Sequence, residues 1–316
     1  MAVVKADAYG HGLPQIAGTL MQSGVDMFGA AHLAEAKTIR QTGAGWKILL
    51  LSASLPDETA EIVRNQISPS ITSLEEARRF DQEAAKQGVE LPVHIKTDTG
   101  MGRIGFWHET AAADILKLRR FKNLKFTGLY THFATADENA DFARKQLARF
   151  HRVLEILHKK GMTFPLVHCA NSAGLLLLPE SRFNLVRPGL AIYGVSPLPG
   201  LQKELIPALA FKARIGFLKE VAPGRTISYG ATFIARRRMK TATVTVGYGD
   251  GYCRRLSDKV HVLVGGRRCP VLGRVTMDQI VVDVTDVPRA RLGDEVILIG
   301  CQGKETVTAS ELARLA

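Results

Sequence analysis

Eight short apolar runs, each followed by a helix-spaced segment or a tight turn, predict that the first part of this 316-residue chain is an α/β, (β/α)8 barrel of the TIM type. Beyond the proline-bearing turn at 197–200 the texture changes to strands with few helices, which predicts a second, mostly antiparallel β domain. The expected division is a barrel over residues 1–205 and a β domain over 206–316. A doubly wound open sheet competes for the first part, because it uses the same strand–helix alternation.

The first run, AVVK at 2–5, meets a glycine-bracketed turn, YGHG at 9–12. Leu13, Ile16, Ala17, Leu20 and Met21 then give the following helix one apolar face. Further runs lie at 25–31, 48–53, 67–73, 93–97, 126–132, 166–170 and 184–187, with helices expected near 34–42, 57–65, 74–87, 110–119, 141–160 and 172–177. Pro69 interrupts the fourth run, and Gly88 and Gly161 stop helices. In the β domain, strands are expected around 209–215, 227–229, 241–246, 260–264, 271–275, 280–284 and 295–299. The TASE sequence at 308–311 is a capping box that announces a helix shortly before the last residue, Ala316. The sequence thus reads as a fragment or a trimmed gene product.

Forty-two basic against thirty acidic residues give a formal charge of +12, which raises the question of nucleic acid. The basic runs are short, scattered and free of interleaved aromatics, so they read as solvated surface that attracts anionic ligands, with no nucleic-acid partner. Cys169, Cys253, Cys269 and Cys301 form no C-x-x-C pair and read as free thiols in a reducing compartment, with no metal. No apolar stretch is long enough to span a bilayer, and Met1 leads straight into a strand instead of a signal core. A soluble, cytoplasmic protein with no membrane partner is expected.

A barrel works at the C-terminal ends of its strands. Those ends collect Lys5 and Tyr9, Lys96 and Arg103, His132, His168 with Asn171 and Ser172, and Arg187 with Gly189, a polar and largely cationic ring. Lys5 is expected as the last inward position of its strand, where burial lowers an ammonium pKa and makes a nucleophile or base. Ser172 and the backbone of RPGL at 187–190 sit where barrels commonly hold a phosphate. GMGRIG at 100–105 matches a dinucleotide fingerprint but falls in the middle of the array. Its glycines read better as a tight loop that turns Arg103 toward an anionic substrate. A lysine opposite a phosphate cradle suits a phosphorylated aldehyde cofactor held as a Schiff base, and aldolase chemistry on a phosphorylated sugar fits the same two features.

The run AVVKADAYGHG (2–12) resembles the cofactor-lysine motif of alanine racemases, the fold-type III pyridoxal-phosphate (PLP) enzymes. VHIKTDTGMGRIG (93–105), THFA (131–134), HCANSA (168–173), VRPGLAIYG (186–194), ISYGAT (227–232), VGYGDGY (246–252) and GRVTMDQ (273–279) are similar to that family's segments in its order. The resemblance implies a racemase that interconverts L- and D-alanine through a PLP aldimine and supplies D-alanine for peptidoglycan. It further implies a cytoplasmic homodimer with active sites shared between subunits. Lys5 corresponds to the aldimine lysine and one of two bases; Tyr229, from the β domain of the other subunit, corresponds to the second. Tyr9, Ser172 and the backbone at Gly189 and Leu190 correspond to phosphate ligands, Arg187 to the partner of the pyridine nitrogen, and His132, His168 and Asn171 to neighbours of the cofactor. Arg103 and Met277 would hold the substrate carboxylate, Tyr248 would line the mouth, and Asp278 would stand behind. Lys96 corresponds to a lysine often found carbamylated. Segments that such enzymes carry before the lysine strand and after the β domain are missing from this sequence, so an incomplete β domain and shared pocket are expected.

The physical chemistry agrees with those roles. Racemisation removes a proton from one face of Cα and returns one to the other, so two bases are the minimum apparatus. A tyrosine needs nearby cations, such as His132 and Arg103, to act near neutrality. An arginine cannot give up its proton and so leaves the pyridine nitrogen unprotonated. A PLP-dependent decarboxylase of the same fold is the first alternative, and would want a cysteine or acid in place of Tyr229. A non-catalytic PLP-binding protein is the second, favoured if the missing segments abolish activity.

Overall fold

The computed structural model describes residues 1–316 apart from the side chain of Pro199. The chain forms two compact units, Met1–Ile206 and Pro207–Ala316.

In the first unit, seven parallel strands and one closing segment form a ring in sequence order. The strands are β1 (Ala2–Val3), β2 (Met27–Ala30), β3 (Lys47–Leu50), β4 (Ser70–Ile71), β5 (Leu91–Asp98), β6 (Leu124–Tyr130) and β7 (Leu166–His168). A parallel bridge between Leu49 and Ser68 joins the first three to the rest. Sequential neighbours pair all the way round, so no reversal of strand order exists and the doubly wound arrangement is excluded. The eighth run, expected as a strand at 184–187, is the exception. It has no regular ladder because Pro188 carries no N–H. It closes the ring all the same: Arg187 N–H donates to Ala170 O, the Met1 ammonium to Val186 O and Val3 N–H to Pro188 O.

The helices that cover the ring are α1 (Leu13–Gln22), α2 (Leu33–Thr42), α3 (Thr59–Arg64), α4 (Leu74–Gln87), α5 (Ala111–Lys117), α6 (Ala140–Lys159) and α7 (Ser172–Leu177). Their ends follow from local chemistry. Ser73 Oγ accepts the Glu76 N–H to start α4, and Gly88 stops it in the left-handed region at φ 65°. Asn139 and Asn171 cap α6 and α7 in the same way. Strand side chains are buried on both faces, as parallel sheets require. Phe28, Ile71, Val93, Ile95 and Leu129 are 0% exposed and belong to one core with helix residues such as Ile39 and Phe80.

The second unit is an antiparallel barrel. Its strands β8 (Phe211–Val221), β9 (Met239–Val244), β10 (His261–Val264), β11 (Arg267–Leu272), β12 (Ile280–Asp283) and β13 (Glu295–Gln302) run in the order β10-β11-β12-β9-β8-β13. The pairing of Leu263 with Ile297 returns β13 to β10, which removes both edges. Val262, Val282, Val296 and Leu298 fill its core. Thr308 Oγ accepts the Glu311 N–H and opens a last helix, Ala309–Leu315. Among the described residues, no helix is long and apolar enough to cross a membrane. Cys169 and Cys269 are buried, Cys253 and Cys301 exposed, and all four are free thiols.

Candidate active site

A cavity of about 380 Å³ opens at the C-terminal ends of the barrel strands. Lys5, Tyr9, Lys96, Arg103, His132, Asn171, Ser172, Arg187, Gly189 and Leu190 all line it. Four of these side chains are lysines or arginines, and Asp137 is the one carboxylate on the wall among the described residues. Its size falls within the roughly 300–1,000 Å³ typical of small-molecule sites.

Lys5 differs from expectation. Regular pairing of β1 stops at Val3, opposite Gly29, and Val4 leaves the extended region at ψ 23°. Lys5 therefore stands just beyond the strand and is only half-buried. Ala6, Asp7, Ala8 and Tyr9 then follow one another at φ +52° to +56°, a complete left-handed turn. For L-residues this costs roughly 1–2 kcal/mol each. The turn is held by bonds from Ala8 N–H to Val4 O, Gly12 N–H to Asp7 O and Leu13 N–H to the Asp7 carboxylate. It delivers the Tyr9 phenol against Gly189, where a Cβ would fall well inside van der Waals contact with the hydroxyl. Burial raises the Tyr9 pKa, so the group stays a neutral O–H donor.

Ser172 Oγ accepts the N–H groups of Gly189 (3.0 Å) and Ala191 (3.2 Å). A phenol, a hydroxyl and two amides thus surround a glycine that leaves room for the phenol's approach, in a wall of net positive charge. That donor set fits a phosphorylated ligand.

Arg187 is fully buried and has no acidic partner. Its guanidinium donates to His168 Nδ1 (2.6 Å), Thr131 O (2.8 Å), Cys169 O (3.1 Å) and His132 Nδ1 (3.2 Å). Since guanidinium can only donate, His168 must accept at Nδ1 and carry its proton on Nε2, which donates to His94 Nδ1 at 2.9 Å. His168 thus stands behind Arg187 and does not reach the cavity wall. Its pKa lies well below the usual value because it is buried and faces Arg187. The half-buried His132 is lowered well below the usual value too, by desolvation first and then by Arg187, Lys96 and Arg103. The expectation that His132 serves as a cation is therefore corrected: it is a neutral imidazole near pH 7.

Lys96, Tyr130 and His168 sit side by side in register on β5, β6 and β7. Burial is the main cause that brings the Lys96 pKa down to about 7; Asp98 opposes it, and Arg187 and Arg103 add to it. Its ammonium donates to Thr97 O. In the glycine-rich loop, Asp98 takes four successive amides. Gly100, Met101 and Gly102 donate to Oδ1, and Arg103 to Oδ2. Burial would raise the Asp98 pKa, but these N–H groups and Lys96 outweigh it and hold the carboxyl below its ordinary value. Gly105 is forced, since a Cβ there would lie 2.7 Å from Lys96 O.

Several positions that shape the site went unassigned in the sequence. Tyr130 forms part of the cavity wall and hydrogen-bonds Ser70 Oγ at 2.6 Å. Four buried or nearly buried side chains on helices tie the strand-end loops together in neighbouring pairs. Glu35 accepts from Ala6 and Ala31, Glu76 from Ser54 and Thr72, and Gln146 accepts from Ala134 while donating to Thr99 Oγ1 and His132 O. Ser172 completes the set between the last two loops. Both glutamates occupy the third position of their helix and precede a fully buried alanine, Ala36 or Ala77. That recurrence was the available signal.

The remaining predicted residues belong to the second unit. Tyr229 is 70% exposed, Met277 53% and Tyr248 42%; Asp278 is also exposed. Tyr248 and Gly249 donate their N–H groups to Thr276 O and Met277 O. Ser228 Oγ donates to Arg274 O, and Gly230 packs on the Arg274 guanidinium. The loops carrying Tyr229 and Tyr248 therefore meet along residues 274–277.

Comparison with known proteins matches both units to one family. Residues 1–197 match the family model "Alanine racemase, N-terminal domain", and 208–316 match "Alanine racemase, C-terminal domain". The alanine racemase of Methylacidiphilum infernorum is 43% identical over 100% of this chain and 80% of its own length, and that of Halothermothrix orenii is 42% identical over 100% and 84%. Among solved structures, alanine racemase of Clostridium difficile superposes with a TM-score of 0.92 at 36% identity, covering 99% of this chain and 82% of that one. The Bacillus anthracis enzyme with bound L-Ala-P gives 0.90 at 36% identity over the same shares. The chain belongs to the alanine racemase family.

Proposed function

We propose that this protein racemises alanine with PLP as cofactor, using Lys5 and Tyr229 as the two bases. The observation that carries the reading is the convergence of Lys5, a phosphate-type donor set and an Arg187 without an acidic partner among the described residues on one cavity. When bound, PLP supplies an electron-withdrawing ring in conjugation with the substrate nitrogen, which acidifies the Cα–H.

The chain's own residues do the rest. Tyr9, Ser172 and the backbone at Gly189 and Leu190 anchor the phosphate, and the left-handed turn brings Lys5 and Tyr9 to one wall. Arg187, held by His168 and by two carbonyls, meets the pyridine nitrogen as a permanent donor. Arg103 supplies charge for the substrate carboxylate, and Met277 is assigned to the same task. Lys5 takes or returns the Cα proton on one face. Tyr229, exposed on the β unit, does so on the other face from a second copy of the chain, so the working form is a homodimer. Tyr248 borders the mouth and Asp278 stands behind Met277. The setting is cytoplasmic, and the product D-alanine supplies peptidoglycan. The division of labour follows residues 1–205 and 206–316.

Incubation of PLP-loaded protein with L-alanine in D2O tests the reading. Deuterium at Cα together with decay of optical rotation is the expected result, and Tyr229→Phe should slow both while leaving Lys5 labelling by PLP and borohydride intact. Release of CO2 from a larger amino acid, with no exchange into alanine, would transfer the protein to the decarboxylases.

A further inference from the structure

Glu35 lies outside the cavity, on α2, yet it binds the backbone next to the proposed cofactor lysine. Its Oε1 accepts the Ala6 N–H at 2.6 Å and its Oε2 accepts the Ala31 N–H at 2.8 Å. The side chain is 7% exposed, so its charge is satisfied chiefly by these two amides. The exposed imidazole of His32 lies 3.7 Å from Oε1.

The location matters because of what the turn lacks. Ala6 and Asp7, the two residues that directly follow Lys5, are exposed, and the stretch is packed against the core only further on, through Ala8 and the half-buried Tyr9. Hydrogen bonds to Val4 O and Asp7 O come from within the same loop. Among the described residues, Glu35 is the only side chain from another element that bonds the backbone of Ala6–Tyr9. It fixes the peptide that follows Lys5, and hence the direction in which the Lys5 side chain leaves the backbone. The second oxygen references that peptide to the end of β2, a rigid strand of the ring.

We propose that Glu35 is a positioning residue that holds the left-handed turn at Ala6 so that the Lys5 amine meets the cofactor aldehyde. This rests on the PLP reading above. The amine condenses with the aldehyde and releases water, and borohydride adds hydride to the C=N carbon while the nitrogen takes a proton, leaving a stable secondary amine. The yield of that label at limiting PLP reports the placement of Lys5. Pyridoxamine phosphate, which has no aldehyde, reports the phosphate cradle alone.

Two variants separate reach from charge. Glu35→Gln keeps the shape but sets an amide N–H against a backbone N–H; Glu35→Asp keeps the charge but is one methylene too short to span both amides. Both should label Lys5 at least about tenfold less, lower kcat about 10- to 100-fold with KM within about threefold, and bind pyridoxamine phosphate within about threefold of wild type. In cofactor-free protein, both should speed hydrogen exchange at the Ala6 amide.

Unchanged labelling overturns the proposal, as does wild-type labelling in Glu35→Asp, which would make charge the operative property. A parallel fall in pyridoxamine phosphate affinity overturns it in favour of a general structural role. If Lys5 of the wild-type chain takes no label, the cofactor reading itself fails, and Ala6 exchange still decides whether Glu35 holds the turn.

Discussion

Tyr130 lies flat against His168, ring centroids 4.8 Å apart and planes 6° from parallel. The same phenol ring faces the Arg187 guanidinium at 5.2 Å and Lys96 Nζ at 5.4 Å. With no carboxylate on Arg187, this aromatic face and neutral acceptors are what a buried cation has for compensation. The two partners of the stack should respond differently to substitution. Tyr130→Phe keeps the ring and leaves Ser70 its bond to Leu50 O, so urea unfolding should show a loss of about 1 kcal/mol. His168→Phe strands a guanidinium N–H and His94 Nδ1, and should cost about 3 kcal/mol or more. Equal losses in the two variants would contradict the bonding scheme.

Acid should destabilise the first unit through the histidines of its interior. Burial, with Arg187 adding to it, lowers the His94 pKa from 6.5 to about 3, and His132 and His168 are lowered in the same sense. Between those values the unfolded chain binds the proton and the folded chain does not, so stability is fully present above pH 6.5 and falls as the pH drops. At about 1.4 kcal/mol per unit, His94 alone should remove about 2 kcal/mol between pH 6.5 and 5. His94→Gln should be less stable at pH 7 and flatter with pH. Denaturant midpoints across this range provide the check, and a profile as steep as wild type would refute the assignment.

Gly189→Ala places a methyl where the Tyr9 hydroxyl now sits. The phenol must move, and PLP affinity should fall about 10- to 100-fold, with a smaller fall for Tyr9→Phe. Titration of the cofactor-free chain measures both. Normal affinity in Gly189→Ala would remove Tyr9 from the phosphate cradle.

Lys96, with its pKa brought down to about 7, is substantially unprotonated at neutral pH and open to reaction with CO2. A carbamate there would place an anion next to Arg103 and Arg187. Intact mass spectrometry in bicarbonate should show a CO2 adduct on the wild-type chain that Lys96→Met lacks.

Much of the barrel was readable because parallel strands are short apolar runs with punctuated ends. Helix α4 shows why: Ser73 and Gly88 mark its limits chemically as well as in sequence. The eighth run was less readable, since Pro188 turns a strand into a clasp held from Met1 and Val3. For Lys5, periodicity carried the strand two residues too far, because four successive non-glycine residues at positive φ run against every local preference. Glu35 and Glu76 looked like ordinary acids in a first helical turn, and their burial comes from loops distant in sequence. His94 did leave a trace: it shares the parity of Lys96, a polar residue on the face of the strand where the barrel interior should be.

The glycine-rich loop carries its own counterion. With Asp98 already gripping four successive amides, the GMGRIG signature is a socket with its plug in place, and a nucleotide would have to evict a carboxylate to use it. An acid two positions before such a signature is therefore a cheap warning, visible in any sequence, that the glycines serve the fold's own anion and not a guest's.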